Sequence, residues 1–567
     1  MINSPYKGKL VDLMVKNEDE KRRLFEKAVS LPKVPLLGRS LYDFALLVKG
    51  AFSPLERFMG KEDYESVLQS MRLKDGTLFP IPVNLPLRSL DGISLDSEVA
   101  LVGRKNEILA VMRVEEIYEY DKNEECKMVY GTLDFRHPMV LEMGFRGRYY
   151  ISGELKALSL PIDFYVFSGL PLYPDETRRA LEAKNPQKVI AFQTRNPLHR
   201  GHEEVIKRAL SREGGMLLFH PSVGMTNFGD VDSFVRIRTY EVLLEKYFRN
   251  YDYLFGLLPL AMRLAGPREA LWHGIIRRNY GATHFIVGRD HASPGFDSKG
   301  KPFYDPYEAQ ELFKKHEEEI GIKGVCSKEL VYLPDEDRYC EIDEVPDGKK
   351  YYTVSGKTLR GEYLSKGRIP PEWMMRKEVA QVIIDSQRRK LKGFCIWITG
   401  LPASGKSTLL EALRYLFLRE GIYVTAFDGD ETRRWISNDL GFSREDRMEN
   451  IRRASVLAGE IVRHGGIAIC AYVSPYNSAR ELARSIIGRD RFVLVYVNTP
   501  LDVCISRDIK GFYKRALKGE IKNMTGVGDI FEEPQDADFR IQMTGSDYME
   551  GAKEIFDYVM RRFKIEE

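Results

Sequence analysis

Short alternating runs of apolar and polar residues, such as "EVALVGRKNEILAVMRVEEIYEY", fill residues 1 to about 165 and are broken by Gly, Pro and Asp. A period of two, cut by turn residues, predicts a mainly β domain with a few helices. From Val166 the rhythm changes to a short apolar run paired with a longer helical pattern. "KVIAF" precedes "EEVIKRALSRE", "MLLFH" precedes "SFVRIRTYEVLLEKYF", and "REALWHGIIRRNYG" precedes "HFIVG". Such alternation predicts a parallel sheet with crossover helices and places functional loops at the C-terminal ends of the strands. Residues from about 320 to 385 are mixed and short-ranged, as a small bridging domain would be, and "SQRRKLKG" (386–393) has the charge and low apolar content of a linker. A second alternating stretch follows. "FCIWITG" leads into "KSTLLEALRYLFLREG", "YVTAFDGD" into "REDRMENIRRASVLAGEIVRHGG", "IAICAYVS" into "NSARELARSIIG", and "RFVLVYVNT" closes the series. The two α/β stretches share a rhythm but no motif, so they are not an internal repeat. The expected domains are 1–165, 166–325, 326–390 with the linker, and 391–567.

Length agrees with this division, since 567 residues exceed a single hydrophobic core and three or four domains of about 100–200 residues are expected. Hydrophobic content of 43% and charged content of 30% describe a folded globular chain without long disorder. A formal net charge of only +3 gives no global case for nucleic acid or a membrane surface, so local clusters of Arg and His must carry any anion binding. The N-terminus lacks the continuous apolar core of a secretory signal, and no apolar run approaches the roughly 18 residues of a membrane helix. The six cysteines are scattered without a C-x-x-C pair, and Cys395 and Cys470 lie in apolar strand-like runs where buried thiols are expected. A cytoplasmic location is expected from this usage.

Two stretches carry the chemistry. "GLPASGKS" places Gly400, Gly405, Lys406 and Ser407 in the G-x-x-x-x-G-K-[ST] spacing, between a predicted strand and helix. Backbone N–H groups of such a loop, with Ser404 and Thr408 at its helix start, curl around phosphate oxygens at the positive end of the helix dipole. Lys406 reaches the β and γ phosphates and the Ser407 hydroxyl ligates Mg²⁺. "DGDETRRW" (428–435) closes the next strand with two carboxylates, where a base for an acceptor hydroxyl can stand. "GFSREDRMENIRR" (441–453) opens a helix rich in arginine; Arg447 and Arg452 have the alternative of being solvent-exposed helix charges. "RDIKGFYKRALKGEIKNMTG" (507–526) is basic and Gly-punctuated, as a lid over phosphates would be.

The other stretch is "QTRNPLHRGH" (193–202), which follows a strand and opens a helix. Nucleotidyl transfer from ATP expels pyrophosphate, and donors aimed at the α–β bridging oxygen lower the barrier. His199 and His202 can meet those phosphates, with Gly201 allowing close backbone approach. A zinc site at these histidines lacks further ligands nearby and is rejected. Gln193 and Arg195 suit a small tetrahedral oxyanion. "GRDHASPG" (288–295) adds Arg289 and His291 on another strand-end loop, making a cationic pocket.

D-G-D, G-F-S-x-x-D-R-x-E-N-I-R-R, S-P-Y and R-D-x-K-G-x-Y in this order resemble adenylyl-sulfate kinases over nearly all of 393–567. The resemblance implies transfer of the ATP γ-phosphate to the 3′-hydroxyl of adenylyl sulfate, with Asp428 as base or acceptor-orienting group. It implies that Arg433, Phe442, Arg447, Asn450 and Lys510 hold the adenylyl sulfate. Ser474 matches that family's phosphorylatable serine, and a strand-end turn explains it equally well. Phe512 and Met524 depart from the family's Leu and Phe; an aromatic at the latter position would sandwich the adenine against Phe442, so weaker substrate binding is expected.

"QTRNPLHRGHE", "HPSVGMTNFGDVDSFVRIR", "LPLAMRLAGPREALWHGIIRRNYG" and "HFIVGRDHASPG" resemble ATP sulfurylases in order, over roughly residues 1–390 with a PUA-like domain first. The resemblance implies the reaction of ATP with sulfate to adenylyl sulfate and pyrophosphate. It assigns sulfate to Gln193, Arg195 and the Ala292 backbone, and catalysis to Thr194, Arg195 and Asn196. His199 and His202 stabilise the leaving pyrophosphate, and Gly288, Arg289, Asp290 and His291 line the nucleotide. Asn227 stands where the family commonly has Lys, and Ser293 where it has Gly, which would stiffen that loop. The cysteine-rich insert of some prokaryotic members is missing, so zinc is not expected and Mg²⁺ with ATP is the expected cofactor. A homo-oligomer with neither nucleic-acid nor membrane partners is expected. The leading function is a bifunctional enzyme making 3′-phosphoadenylyl sulfate. Two alternatives stand: in fungal ATP sulfurylases a similar C-terminal domain has become an allosteric module, and the first reaction can run in reverse to make ATP during sulfur oxidation.

Overall fold

The computed structural model describes residues 2–161, 164, 169–225, 231–387, 391–521, 523–543 and 548–564. Two compact units emerge, Met1–Leu101 with Leu109–Gln381, and Val102–Ile108 with Val382–Glu567. The N-terminal segment holds β1 (Lys33–Pro35), β2 (Leu85–Leu87), β3 (Glu98–Val102), β4 (Ile108–Glu119) and β5 (Tyr149–Ala157) in one sheet of order β1-β3-β4-β5-β2. β4 and β5 pair antiparallel with a bulge between Val114 and Glu116, which bends a long strand and lets the sheet curl. Around it lie α1 (Glu18–Ala28), α2 (Arg39–Val48), α3 (Lys61–Ser70), α4 (Lys122–Tyr130) and α5 (Pro138–Phe145). The curled sheet expected of this segment is present, and more residues around it are helical than the alternating pattern alone suggests. The α2 segment "RSLYDFALLV" is buried on nearly every side, so it lacks the polar face by which a helix is recognised in sequence.

The central segment contributes β6 (Val189–Phe192), β7 (Met216–Phe219), β8 (Tyr253–Phe255), β9 (His284–Val287) and β10 (Lys323–Cys326), all parallel in the order β10-β9-β6-β7-β8. Every residue of β6, β7 and β9 is buried, as a parallel sheet covered on both faces requires. The crossovers are α7 (Arg200–Glu213), α8 (Ser233–Tyr247) and α9 (Gly266–Asn279), with α6 (Pro174–Lys184) before β6 and α10 (Glu308–Ile320) before β10. Strands β7 and β9 flank β6, so the strand order reverses beside β6 and opens a crevice at the C-terminal ends of β6 and β9. One apolar core joins Tyr6, Phe44 and Phe52 of the N-terminal segment to Trp272, Tyr280 and Phe285 of the central one. The Phe52 and Trp272 rings stack at 5.0 Å.

This core also encloses a charge. Arg263 pairs with Asp43, both side chains 4% exposed, and donates to the Ala261 carbonyl. Removing one member of such a pair leaves the other charge uncompensated, at a cost of about 3–5 kcal/mol. Asp43→Ala is therefore expected to lower the stability of the first unit by that amount in urea titration. A midpoint equal to the parent's would contradict it.

β10 belongs to the central sheet, so the stretch expected as a bridging domain begins inside it. A hairpin of β11 (Leu330–Leu333) and β12 (Arg338–Glu341) follows, then the short α11 (Gly356–Thr358) and α12 (Lys377–Gln387). The segment expected as a linker starts within α12, and Leu391 already bridges to Lys564; residues 388–390 lie outside the described ones. In the second unit β13 (Phe394–Gly400), β14 (Thr425–Asp428), β15 (Ile467–Ala471), β16 (Phe492–Val497) and β17 (Phe539–Ile541) form a parallel sheet of order β14-β15-β13-β16-β17. Its helices are α13 (Lys406–Arg419), α14 (Gly429–Trp435), α15 (Arg444–Arg463), α16 (Asn477–Ile487), α17 (Leu501–Arg507), α18 (Phe512–Leu517) and α19 (Tyr548–Arg562). The two apolar faces of this sheet are packed separately, around Phe394 and Leu413 on one side and Trp397 and Ala458 on the other.

Candidate functional site

Each unit holds a site at the end of its central strand. In the first, β6 ends at Phe192 and the chain turns through Gln193 to Asn196. Thr194 Oγ1 donates to the Asn196 carbonyl at 3.0 Å and accepts its amide at 3.1 Å, closing a tight turn. The Asn196 carbonyl also accepts from Tyr240 Oη at 2.9 Å. Gln193 Nε2 lies 3.4 Å from Ser222 Oγ at the end of β7, and Arg195 Nη2 reaches the Ser293 carbonyl at 3.5 Å. Arg195 thus spans the crevice, bringing the "QTRN" and "GRDHAS" loops together across the switch point.

His199 caps α7: its Nδ1 accepts the His202 amide at 3.4 Å, and the two rings stack at 3.8 Å. A Cβ at Gly201 would meet the His199 ring at 3.0 Å. The histidine beside it is thus a second reason for glycine at this position. Burial pushes the His202 imidazole down to about 4 and His199 well below its ordinary value, where the neighbouring His202 adds to the effect. Both are neutral, and among the described residues His202 Nδ1 is buried without a hydrogen-bond partner. A phosphate arriving there can accept from ring N–H groups.

The loop after β9 differs from the cationic arm expected. Arg289 is paired with Asp290 at 3.0 Å and Glu329 at 2.6 Å. His291 is buried and pushed down to about 3 by burial and by His273, whose Nδ1 lies 3.0 Å from His291 Nε2. Neither residue adds a free cation, and the positive charge comes from Arg195 and from a residue sequence reasoning missed. Arg236, 1% exposed, donates through Nη1 to the carbonyls of Arg195 and Ser222, while its Nε and Nη2 are buried without partners. Its signal was a charged side chain on the buried face of α8. Asp290 and Ala292 have φ of +54° and +53°, a left-handed backbone that turns the loop's amides together. A Cβ at Gly288 would meet open space. Ser293 Oγ accepts the Gly295 amide at 3.1 Å. Asn227 lies outside the described residues.

In the second unit the P-loop joins β13 to α13. Gly400 has φ +149°, and a Cβ there would meet the Val497 carbonyl at 2.5 Å and Ser404 Oγ at 3.0 Å. Gly405 has φ +105° against Met543, and Ala403 φ +56°. Lys406 Nζ donates to the Leu401 carbonyl at 2.6 Å, lying over its own loop. Burial, with Lys510 nearby, pushes it down to about 8. The Ser404 hydroxyl is buried without a partner and Thr408 sits in the first turn of α13. Asp428 caps α14: Oδ1 accepts the Asp430 amide at 3.0 Å and Oδ2 accepts from Ser407 Oγ at 2.6 Å. Burial alone would raise the Asp428 carboxyl, but Lys510 and the Ser407 hydroxyl hold it below the usual range. Lys510 itself is ion-paired with Asp430.

Arg433, Phe442 and Arg447, three of the residues expected to hold adenylyl sulfate, lie against one another. Arg433 lies 4.5 Å from the Phe442 ring centre and donates to the Gly441 carbonyl at 2.9 Å. Arg447 donates to the Phe442 carbonyl and Thr525 Oγ1, each at 3.0 Å, and to the Asn523 carbonyl. It fastens the lid to α15, whereas Arg452 is exposed and pairs with Glu449 at 2.7 Å as an ordinary helix charge. Asn450 Oδ1 is buried and unpartnered. The lid is tied to the P-loop by Tyr513 Oη, which donates to the Pro402 carbonyl at 3.1 Å.

Two placements bear on the sequence reading. Ser474 is 2% exposed; its Oγ accepts from Trp397 Nε1 at 3.1 Å and donates to Thr399 Oγ1 at 2.9 Å. A hydroxyl so engaged braces the turn after β15, as the strand-end alternative expects. Met524 is buried with Cys504 and Tyr513 against Leu401 and Ala403 of the P-loop, while Phe442 is exposed. Among the described residues no three His, Cys, Asp or Glu side chains gather as a metal cluster, and no helix is long and apolar enough to cross a membrane.

A nucleotide crevice at a parallel-sheet switch point and a separate P-loop site define a two-site nucleotide-dependent transferase. Family models agree: a PUA-like domain matches residues 3–160, ATP-sulfurylase 168–386 and adenylylsulphate kinase 392–542. The chain is 42% identical over 554 residues to a sulfate adenylyltransferase of Emericella nidulans and 41% identical over 556 residues to one of Mycosarcoma maydis, in each case covering 96% of both chains. In structure it is similar to a hexameric APS kinase from Thiobacillus denitrificans, with a TM-score of 0.57, 26% identity and 99% of both chains covered. The chain belongs to the sulfate adenylyltransferase family. It is an enzyme that joins the ATP-sulfurylase and adenylylsulphate kinase steps of sulfate activation in one polypeptide.

Proposed function

We propose that the first unit adenylylates sulfate and that the second, an active kinase, converts the product to 3′-phosphoadenylyl sulfate. In the first step a sulfate oxygen attacks the ATP α-phosphorus and pyrophosphate leaves. Gln193, Arg195 and the Ala292 amide hold sulfate, and Arg236 keeps the Arg195 backbone in place beneath it. Thr194 and Asn196 fix the turn that presents Arg195, and His199 and His202 donate to the departing pyrophosphate. Gly288 to His291 line the nucleotide.

In the second step the 3′-hydroxyl of adenylyl sulfate attacks the ATP γ-phosphorus and ADP leaves. Asp428, ionised and buried, accepts the hydrogen bond of that hydroxyl and orients it. Lys406 shifts from the Leu401 carbonyl to the phosphates. Arg433, Phe442, Asn450 and Lys510 bind adenylyl sulfate, and Arg447 closes the lid over it. The hard oxygen donors Ser407 Oγ and Asp428 Oδ2, 2.6 Å apart, fit Mg²⁺ held with the ATP phosphates. When bound, the ion neutralises charge on those phosphates.

The observation that carries the kinase assignment is this set of Lys406, Ser407, Asp428 and Lys510 gathered at one P-loop mouth. The test supplies adenylyl sulfate directly with γ-labelled ATP and Mg²⁺. Label is expected in 3′-phosphoadenylyl sulfate, and chelation with EDTA is expected to abolish it. Binding of adenylyl sulfate without transfer of label would make the unit a sensor and overturn the assignment.

A further inference from the structure

The mechanism above leaves two buried titratable groups, Glu269 and His273, unused behind the sulfurylase crevice. Glu269 and His273 lie one turn apart on α9, both fully buried, with His273 Nε2 3.2 Å from Glu269 Oε1. The other ring nitrogen, His273 Nδ1, lies 3.0 Å from Nε2 of His291, which is 9% exposed on the nucleotide loop. Glu269 is itself fixed: Oε1 accepts the Arg263 amide and Oε2 the Ala265 amide, each at 2.9 Å. The loop it holds touches the nucleotide loop once more, where the Gly266 amide donates to the Ala292 carbonyl at 3.3 Å.

We infer that Glu269 and His273 are positioning residues of the sulfurylase site, a buried relay that fixes the tautomer of His291 and makes it a neutral hydrogen-bond acceptor toward the nucleoside part of ATP. The proton count runs along the chain of contacts. His273 Nε2 lies 3.2 Å from the Glu269 carboxylate without the alignment of a hydrogen bond, but the carboxylate's charge repels a lone pair there, so the N–H of a neutral His273 sits on Nε2 and its Nδ1 carries a lone pair. The contact with His291 then needs the proton on His291 Nε2, which leaves His291 Nδ1 with its lone pair. Burial, offset by His273 and by the two amide hydrogen bonds, leaves Glu269 at about 2; burial also holds His273 below its ordinary value. Charges throughout the relay agree with that assignment. A lone pair repels phosphate oxygens and accepts from a ribose hydroxyl or an exocyclic amine, so His291 selects the nucleoside end of ATP. The left-handed backbone at Asp290 and Ala292 is held from behind by the same two contacts. Strain of this kind persists where surrounding structure over-determines it.

This inference rests on the proposed sulfurylase site, so the test begins with the parent enzyme's sulfate-dependent release of pyrophosphate; its absence would remove that site rather than the relay. Given activity, His273→Leu removes the acceptor that His291 needs, and kcat/KM for ATP is expected to fall about tenfold, the scale of one lost hydrogen bond. His273→Asn places an amide oxygen near the former Nδ1 and is expected to recover to within about threefold of the parent. Kinase activity on supplied adenylyl sulfate reports the folded second unit in the same samples. Parent-like kinetics for His273→Leu, or equal losses for Leu and Asn, would overturn the relay and leave a packing role. Should the Leu variant not fold, nitrogen shifts of ¹⁵N-histidine in the parent enzyme decide. His291 carrying its proton on Nε2 is expected, and a proton on Nδ1 would overturn the inference.

Discussion

Lys406→Ala is expected to lower kinase turnover by about 10³-fold while sulfate-dependent pyrophosphate release stays at the parent level. The lysine is 9% exposed and bonded to the Leu401 carbonyl of its own loop. What it removes is the one P-loop cation that can follow the γ-phosphate as charge moves onto the β–γ bridging oxygen. Burial already pushes its ammonium down to about 8, so the group is poorly solvated before ATP arrives and gains most when phosphate replaces the carbonyl. The check is a pair of assays on one preparation, with adenylyl sulfate as substrate for one and sulfate for the other. Equal loss in both would contradict two separate sites.

His202→Ala is expected to do the reverse, lowering adenylyl-sulfate formation by about 10²–10³-fold with the kinase unaffected. His202 Nδ1 is buried without a partner and its ring stacks on His199 at 3.8 Å. A buried polar atom left unsatisfied costs free energy in the empty enzyme, and a ligand that satisfies it recovers that cost. Loss confined to kcat at unchanged KM for sulfate would place the residue on the leaving pyrophosphate. A variant that adenylylates sulfate at the parent rate would remove His202 from the mechanism.

Joining the two sites has a thermodynamic use. Adenylyl sulfate is expected to form against an unfavourable equilibrium, and a kinase that consumes it pulls the first reaction forward. Tethering the consumer to the producer raises the intermediate's effective concentration at the second site.

Much of this was legible in the sequence where chemistry depends on backbone spacing. The P-loop glycines and the histidine pair at the start of α7 announce themselves because a strand–loop–helix turn tolerates few residue types. The parallel sheets were equally visible, as their strands are continuous apolar runs. Less visible were the features that rest on contacts distant in sequence. Asp43 and Arg263 are 220 positions apart, and nothing local distinguishes either from a surface charge. Glu269 and His273 read as polar positions of an amphipathic helix, whereas α9 is buried almost all round. Ser474 shows the opposite case: its motif is conspicuous and allowed two explanations, and the hydrogen bonds with Trp397 and Thr399 are those of the strand-end turn. Residue type predicted the inventory of the sites, and only packing showed which polar atoms are spent on the fold and which remain for ligands.

The most direct test incubates the purified enzyme with ATP, Mg²⁺, sulfate and inorganic pyrophosphatase, followed by separation of the nucleotides. Accumulation of 3′-phosphoadenylyl sulfate is the expected result and requires both sites to work in sequence. Adenylyl sulfate as the sole new nucleotide would contradict an active second site, and no sulfated nucleotide at all would contradict the first.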